Sequence, residues 1–198
     1  IFKKLFIFMA NFKNEKISLQ REKIIKLLRS TKRKGVETLI KFMDESNYFN
    51  CWGSFRHHKY NGGLAEHSLE VYDAALSNNL NCDKNSIIIA SILHDLCKVQ
   101  YNFPKETGDY FTKGHGTKSV RIIEDYIGLK LTDEERRAIR FHMGCKSKIK
   151  DEEELKEYTK ARDEELWELI HSGDCISCGN YPKTLHSVVR NVISFLGL

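Results

Sequence analysis

Proline is scarce in this sequence, two in 198 residues, and glycine numbers only twelve. So few breakers leave room for long helices and little material for a succession of tight hairpins. No run of eighteen apolar residues occurs, which argues against a membrane span, and no membrane partner is expected. Cysteine is present but lacks a framework. Cys51, Cys82, Cys97, Cys145, Cys175 and Cys178 are not spaced as in small disulfide-bonded domains. The C-x-x-C of Cys175 and Cys178 has no second pair to complete a zinc site. Reduced thiols near a core face, in a cytoplasmic protein, are the expectation. The stretch Ile1 to Ala10 joins Lys3 and Lys4 to an apolar segment too short for a secretory h-region, and no small-x-small cleavage pattern follows closely. Met9 is the first methionine, so residues 1–8 are expected to derive from upstream of the natural start.

What is present suits a folded domain: 41% hydrophobic and 30% charged residues, and a length able to bury a full core. Neither repeats nor a low-complexity linker divide the chain. We expect a basic helical extension over residues 1–46, packed on a domain that spans 47–198. The net charge of +5 is uneven, with fourteen Lys/Arg against five Asp/Glu in the first sixty residues. Such an arm either attracts an anionic substrate or nucleic acid, or is a plain solvated helix face.

Apolar spacing predicts helices throughout. Residues 17–30 and 36–43 carry Ile17, Ile24, Leu27, Leu28 and then Val36, Leu39, Ile40, Met43 at helical intervals. Gly53, Gly62 and Gly63 mark 47–63 as a loop. Leu64 to Asn78 is amphipathic, with Leu64, His67, Val71 and Ala74 on one stripe. Asp83 is placed to cap the next helix, whose Ile87, Ile88, Ile89, Ile92, Leu93 and Leu96 demand deep burial. A turn or short hairpin is expected over 101–112. Helices follow at 115–127 and 132–143, the second opening on the capping-box pair Thr132 and Glu135. An acidic segment, 151–157, precedes a long helix at 161–178, and another fills 183–196. The expectation is an all-α bundle.

The chemistry concentrates in a few polar residues at apolar positions. His94-Asp95 lies in the middle of the most apolar helix, where an unpaired carboxylate costs several kcal/mol, roughly the penalty for a buried ion without a partner. A divalent cation satisfies both side chains at once; hydrogen bonding alone is the simpler alternative for an isolated His-Asp pair. His67 occupies the apolar stripe of the preceding helix, and Asp174 shares a buried stripe with Trp167, Ile170 and Cys178. Two such histidines and two such aspartates on three helices make a metal centre the better reading, and imidazole with carboxylate suits Mn, Fe, Ni, Co or Zn.

His67, His94-Asp95 and Asp174, with the flanking words GGLAEHSL at 62–69 and ILHDLCK at 92–98, resemble the H…HD…D signature of the HD superfamily of metal-dependent phosphohydrolases. The likeness spans about 57–180. It implies an HD-type helical bundle in which His67, His94, Asp95 and Asp174 hold one divalent ion (Mn, Fe, Ni, Co, Zn or Mg). His115 and His142 stand in the order of the second-ion ligands of the two-metal branch, with Asp95 bridging. One or two ions are therefore expected. The resemblance further implies hydrolysis of a phosphate ester, mono or di, by a metal-activated water. Asp95 would orient or deprotonate that water. Lys98, one turn beyond His94, is the expected phosphate ligand or leaving-group stabiliser, and equally a lysine placed to suit a helix C-terminus. His58 and Arg140 are the further substrate-binding candidates, with His57, Lys59, Tyr60, Lys118 and Arg121 weaker. His171, one turn before Asp174, is an outer-sphere group or nothing. Cys97 stands where many members of the superfamily have glycine.

The substrate expected is a phosphorylated small molecule, nucleotide-like, ahead of nucleic acid. The phrasing around His67 is similar to bacterial HD proteins with exoribonuclease activity, but the short-strand pattern of their OB-fold domain is missing. Two rivals keep the fold: a di-iron HD oxygenase with the same ligand order, and a non-catalytic nucleotide-binding module.

Overall fold

The computed structural model describes residues 2–54, 56–102, 114–144 and 149–179, with side chains from residue 14 onward and, in the second segment, as far as Val99. Eight helices are seen among them: α1 Phe2–Ser30, α2 Val36–Glu45, α3 Gly63–Ser77, α4 Lys84–Leu93, α5 His115–Arg121, α6 Asp133–Phe141, α7 Glu152–Arg162 and α8 Glu165–Ser177. No strand occurs among the described residues, and the fold is all-α. No helix among them is long and apolar enough to cross a membrane. The hairpin expected at 101–112 falls almost wholly outside the described residues, and the helix at 183–196 entirely so.

The centre of the bundle is α4. Asp83 caps it by accepting a hydrogen bond from the Ser86 amide at 3.0 Å, and Ile87, Ile88, Ile89, Ile92 and Leu93 are all buried. Each such side chain contributes about 1.5–3 kcal/mol. α3 packs on both α4 and α8, and α6 on α4, α5 and α8. Those contacts bring the C-terminal ends of α4 and α6 to the middle of α3 and α8.

α1 lies across α3 and α4 with Ile24 and Leu28 buried. Three of its basic residues pair with acids of neighbouring helices: Lys16 with Glu66 at 2.7 Å, Lys23 with Asp73 at 3.0 Å, and Arg21 with Asp44 at 2.7 Å. Arg33, just past the helix, reaches Glu135, which is fully buried at the start of α6. Glu135 closes the capping box with Thr132 and also accepts from Ser86 Oγ at 2.7 Å. One carboxylate thus ties the α1–α2 connection, α4 and α6 together.

The structure corrects three boundaries. The acidic stretch at 151–157 does not precede a helix but begins one: Asp151 caps α7, and Glu152, Glu153 and Glu154 fill its first turn, where the helix dipole favours negative charge. The long helix expected over 161–178 is broken between Arg162 and Glu165, because Glu164 adopts an extended conformation and is gripped by Arg137 at 2.9 and 3.0 Å. His94-Asp95 is not in the middle of its helix. α4 ends at Leu93, and Leu96–Asn102 continues as a tighter 3₁₀ turn.

Candidate metal centre

His94 and His142 each follow the last residue of a helix, α4 and α6, and each turns its Nδ1–H back to a carbonyl three residues earlier. The distances are 2.8 Å to Ser91 O and 2.7 Å to Ile139 O. A carbonyl only accepts, so both rings present Nε2 to the interior. His67, in the second turn of α3, brings its Nε2 to 3.1 Å from that of His94. His115, the first residue of α5, brings its Nε2 to 3.0 Å from that of His142. The approach of α5 to α6 requires Gly116, because a Cβ there would stand 2.4 Å from the Arg140 carbonyl oxygen.

Asp95 lies between the two pairs. Its Oδ2 is 3.3 Å from His94 Nε2 and 3.4 Å from His67 Nε2; its Oδ1 is 3.5 Å from His115 and 3.7 Å from His142. Asp174 on α8 completes the first pair, with Oδ1 3.2 Å from His67 Nε2. All six residues expected from the sequence therefore converge, although they come from α3, α5, α8 and the two turns that close α4 and α6.

These spacings fit metal ligation. Two nitrogens each about 2.1 Å from an ion and 90° apart are separated by about 3.0 Å, the spacing seen in both imidazole pairs. Asp95 Oδ1 is buried and accepts no hydrogen bond among the described residues. His67, His94 and Asp174 form one group able to hold an ion, and His94, Asp95 and His142 another.

The electrostatics draw positive charge inward. Burial pushes the His67 imidazole down, but Asp174 and Asp95 outweigh it and leave the ring above its ordinary pKa. Burial lowers His142 to about 3, helped by His115 and His94, and burial also lowers His115. Asp95 and Asp174 both sit well below the usual carboxylate range. For each, burial opposes ionisation and is overcome, in Asp95 chiefly by Lys98 and His94 and in Asp174 chiefly by His67. The Lys98 ammonium lies against Asp95 Oδ2. The two carboxylates that hold His67 above its ordinary pKa would attract a cation to the same place.

The family follows from the chain itself. The HD domain model matches residues 64–169, more than half of the length. The chain belongs to the HD domain family. A search of curated proteins and a search of solved structures return no match. Most members of the HD domain family are metal-dependent hydrolases. In this HD domain the matched segment holds five of the six converging residues, and Asp174 lies five positions beyond it.

Other expected residues are placed more loosely. His58 has φ 52° and faces Glu70, with Nε2 3.1 Å from Oε2. Arg140 pairs with Glu154 at 2.8 Å and lies over the Phe141 ring. Lys118 is half-buried and Arg121 exposed on α5. His171 is an outer support: its Nδ1 donates to the His142 carbonyl at 2.6 Å and its ring stacks on Trp167. Trp167 in turn donates to the Phe141 carbonyl at 2.9 Å, so α8 satisfies the open end of α6 that carries His142. Sequence reading missed Ser177, which meets His67 Nδ1 at 2.8 Å, and Glu70, which accepts from Ser177; a serine and a surface glutamate carry no pattern that marks them. Among the described residues no disulfide joins the cysteines.

Proposed function

We propose that this HD protein is a two-metal phosphohydrolase that cleaves a phosphate mono- or diester of a nucleotide-like substrate. The observation that supports it is the division of Asp95 between two imidazole pairs, one oxygen to each. In this reading His67, His94, Asp95 and Asp174 hold one ion, and Asp95, His115 and His142 hold the second. Bound divalent ions supply Lewis acidity that acidifies water and neutralises charge on phosphate oxygens.

The protein's own part is positioning and charge balance. Asp95, whose Oδ1 accepts no hydrogen bond among the described residues, would orient a water set between the imidazole pairs. Lys98 carries its ammonium at the same carboxylate, within reach of a phosphate oxygen and able to balance charge on the leaving group. His58 and Arg140 are kept as outer substrate contacts, each already oriented by a glutamate. The pairing of Lys16, Arg21, Lys23 and Arg33 with acids of the same chain favours a small substrate over nucleic acid, because those charges are already engaged.

Metal analysis of anaerobically purified protein, wild type beside Asp95→Ala, with a phosphatase and phosphodiesterase screen on both, tests the proposal. About two equivalents of Mn or Fe, lost together with activity in the variant, are expected. Iron with oxygen consumption and no phosphoesterase activity would replace this reading by an oxygenase. A folded wild type that takes up no metal would overturn it.

A further inference from the structure

We infer that Glu70 is a positioning residue for this centre, orienting His67 through Ser177 and, through His58 and His57, turning the Cys178 thiol away from Asp174. The inference rests on the reading of His67 and Asp174 as metal ligands.

Glu70 stands one position short of a helical turn beyond His67 on α3, close enough for both to face α8. Its Oε2 accepts the Ser177 hydroxyl hydrogen at 2.6 Å. That hydroxyl has a single hydrogen, so toward His67 Nδ1, 2.8 Å away, Ser177 Oγ is the acceptor. The proton of His67 is thereby fixed on Nδ1, and Nε2 is directed at His94 and Asp174. An imidazole whose second nitrogen is held in this way is the arrangement that orients a metal ligand and raises its basicity.

The same carboxylate oxygen anchors a second branch. His58 Nε2 lies 3.1 Å from Glu70 Oε2, His58 Nδ1 lies 3.0 Å from His57 Nδ1, and His57 Nε2 lies 3.1 Å from Cys178 Sγ. With an acceptor at one end, the donors run in one direction: His58 N–H to Glu70, His57 N–H to His58, Cys178 S–H to His57. Cys178 Sγ is 3.5 Å from Asp174 Oδ1, and a thiol hydrogen committed to His57 leaves that oxygen without a donor from Cys178, free to ligate beside His67 Nε2, 3.2 Å away. The loop is locked in place for this. The His58 carbonyl presses on Gly63, where a Cβ would stand 2.1 Å from it, and accepts from the Gly53 amide at 3.0 Å.

His57, His58 and His67 are close enough to hold an ion of their own. The linked atoms from Glu70 Oε2 to Cys178 Sγ nevertheless each have a neighbour at hydrogen-bond distance, unlike Asp95 Oδ1. We therefore read the outer cluster as an orienting network and not as a third metal site.

Zinc titration of the metal-free protein, wild type with Glu70→Leu, Glu70→Gln and Ser177→Ala, separates the possibilities. Affinity should fall about tenfold to hundredfold in the Leu and Ser177→Ala variants. Glu70→Gln, whose amide oxygen accepts in the same place, should stay close to wild type. In the zinc-loaded protein the His67 Nδ1–H resonance should be protected from exchange in wild type and Glu70→Gln and lost in the other two. The His94 Nδ1–H resonance, bonded to Ser91, should not change in any of them. Ser177→Ala removes a single hydroxyl and carries the test should Glu70→Leu fail to fold. Unchanged affinity and an unchanged His67 resonance in a zinc-binding Ser177→Ala protein would remove the role assigned to Glu70 and leave the metal reading standing. A wild type that binds no zinc would remove both.

Discussion

His94 and His142 are held by the same local device: each ring follows the end of a helix and donates Nδ1–H to the carbonyl three residues before it. The two helix ends, α4 and α6, face each other, and the ring centroids of His94 and His142 are 4.9 Å apart. Free carbonyls at a helix C-terminus need donors, and here the two imidazoles are among them. The rings are therefore set by the backbone before any ion binds, with Asp95 between them.

Asp95 and Lys98 are expected to be coupled in stability as well as in charge. Asp95→Asn leaves a largely buried ammonium without its nearest carboxylate, which should cost about 3 kcal/mol, moderated by the more distant Asp174. Adding Lys98→Met should recover most of that loss in urea unfolding of the metal-free protein. Metal uptake should be absent in both variants. A single variant as stable as wild type would show that the ammonium finds another partner.

The fold and the six converging residues were legible in the sequence because both rest on periodicity and on polar residues breaking it. An imidazole on the stripe of α3 and a His-Asp pair at the end of α4 are visible against Ile87, Ile88 and Ile89. The break between α7 and α8 was hidden, because it depends on Arg137 reaching Glu164 from α6, and no local signal encodes a partner 27 residues away. His94 reads as mid-helix for a similar reason. The apolar pattern runs on through Leu96 and Val99, although the backbone has already tightened there. Ser177 and Glu70 were invisible because their role is set wholly by the packing of α8 on α3.

Gly116 should separate the two proposed metal positions experimentally. A Cβ there would meet the Arg140 and Ile139 carbonyl oxygens at 2.4 and 2.5 Å, which forces α5 away from α6 and His115 from His142. Gly116→Ala is expected to destabilise the protein by about 1–3 kcal/mol, the usual range for overpacking. Metal content of the folded variant should fall from two equivalents to one, with the His67–His94 position retained. Loss of both ions together would mean that the two positions are not independent.

Glu135 offers the opposite case, a buried charge remote in role from the ions. Arg33, Ser86 and the Thr132 capping box all depend on it. Glu135→Ala should cost about 3–5 kcal/mol, because it strands Arg33 and removes the side-chain half of the capping box, the bond from the Thr132 amide. Chemical unfolding measures the cost, and metal content of the folded fraction at low temperature should be unchanged. A selective loss of metal would show that the start of α6 controls its far end, where His142 sits.

Ion binding should itself appear as stability. A ligand that binds only the folded chain stabilises it by about 2.7 kcal/mol at a hundred times its dissociation constant. For a domain of this size each kcal/mol shifts Tm by about 2–4 °C, so an added ion should raise it by about 5–10 °C, with the rise growing as metal is added. Asp95→Ala should give a flat response, since both positions share that carboxylate. Gly116→Ala should keep a smaller rise from the first position, and Glu135→Ala should start lower and rise by as much as wild type. Calorimetry of the four proteins with and without chelator tests all of this at once. An equal rise in Asp95→Ala would place the bound ion somewhere other than this cluster.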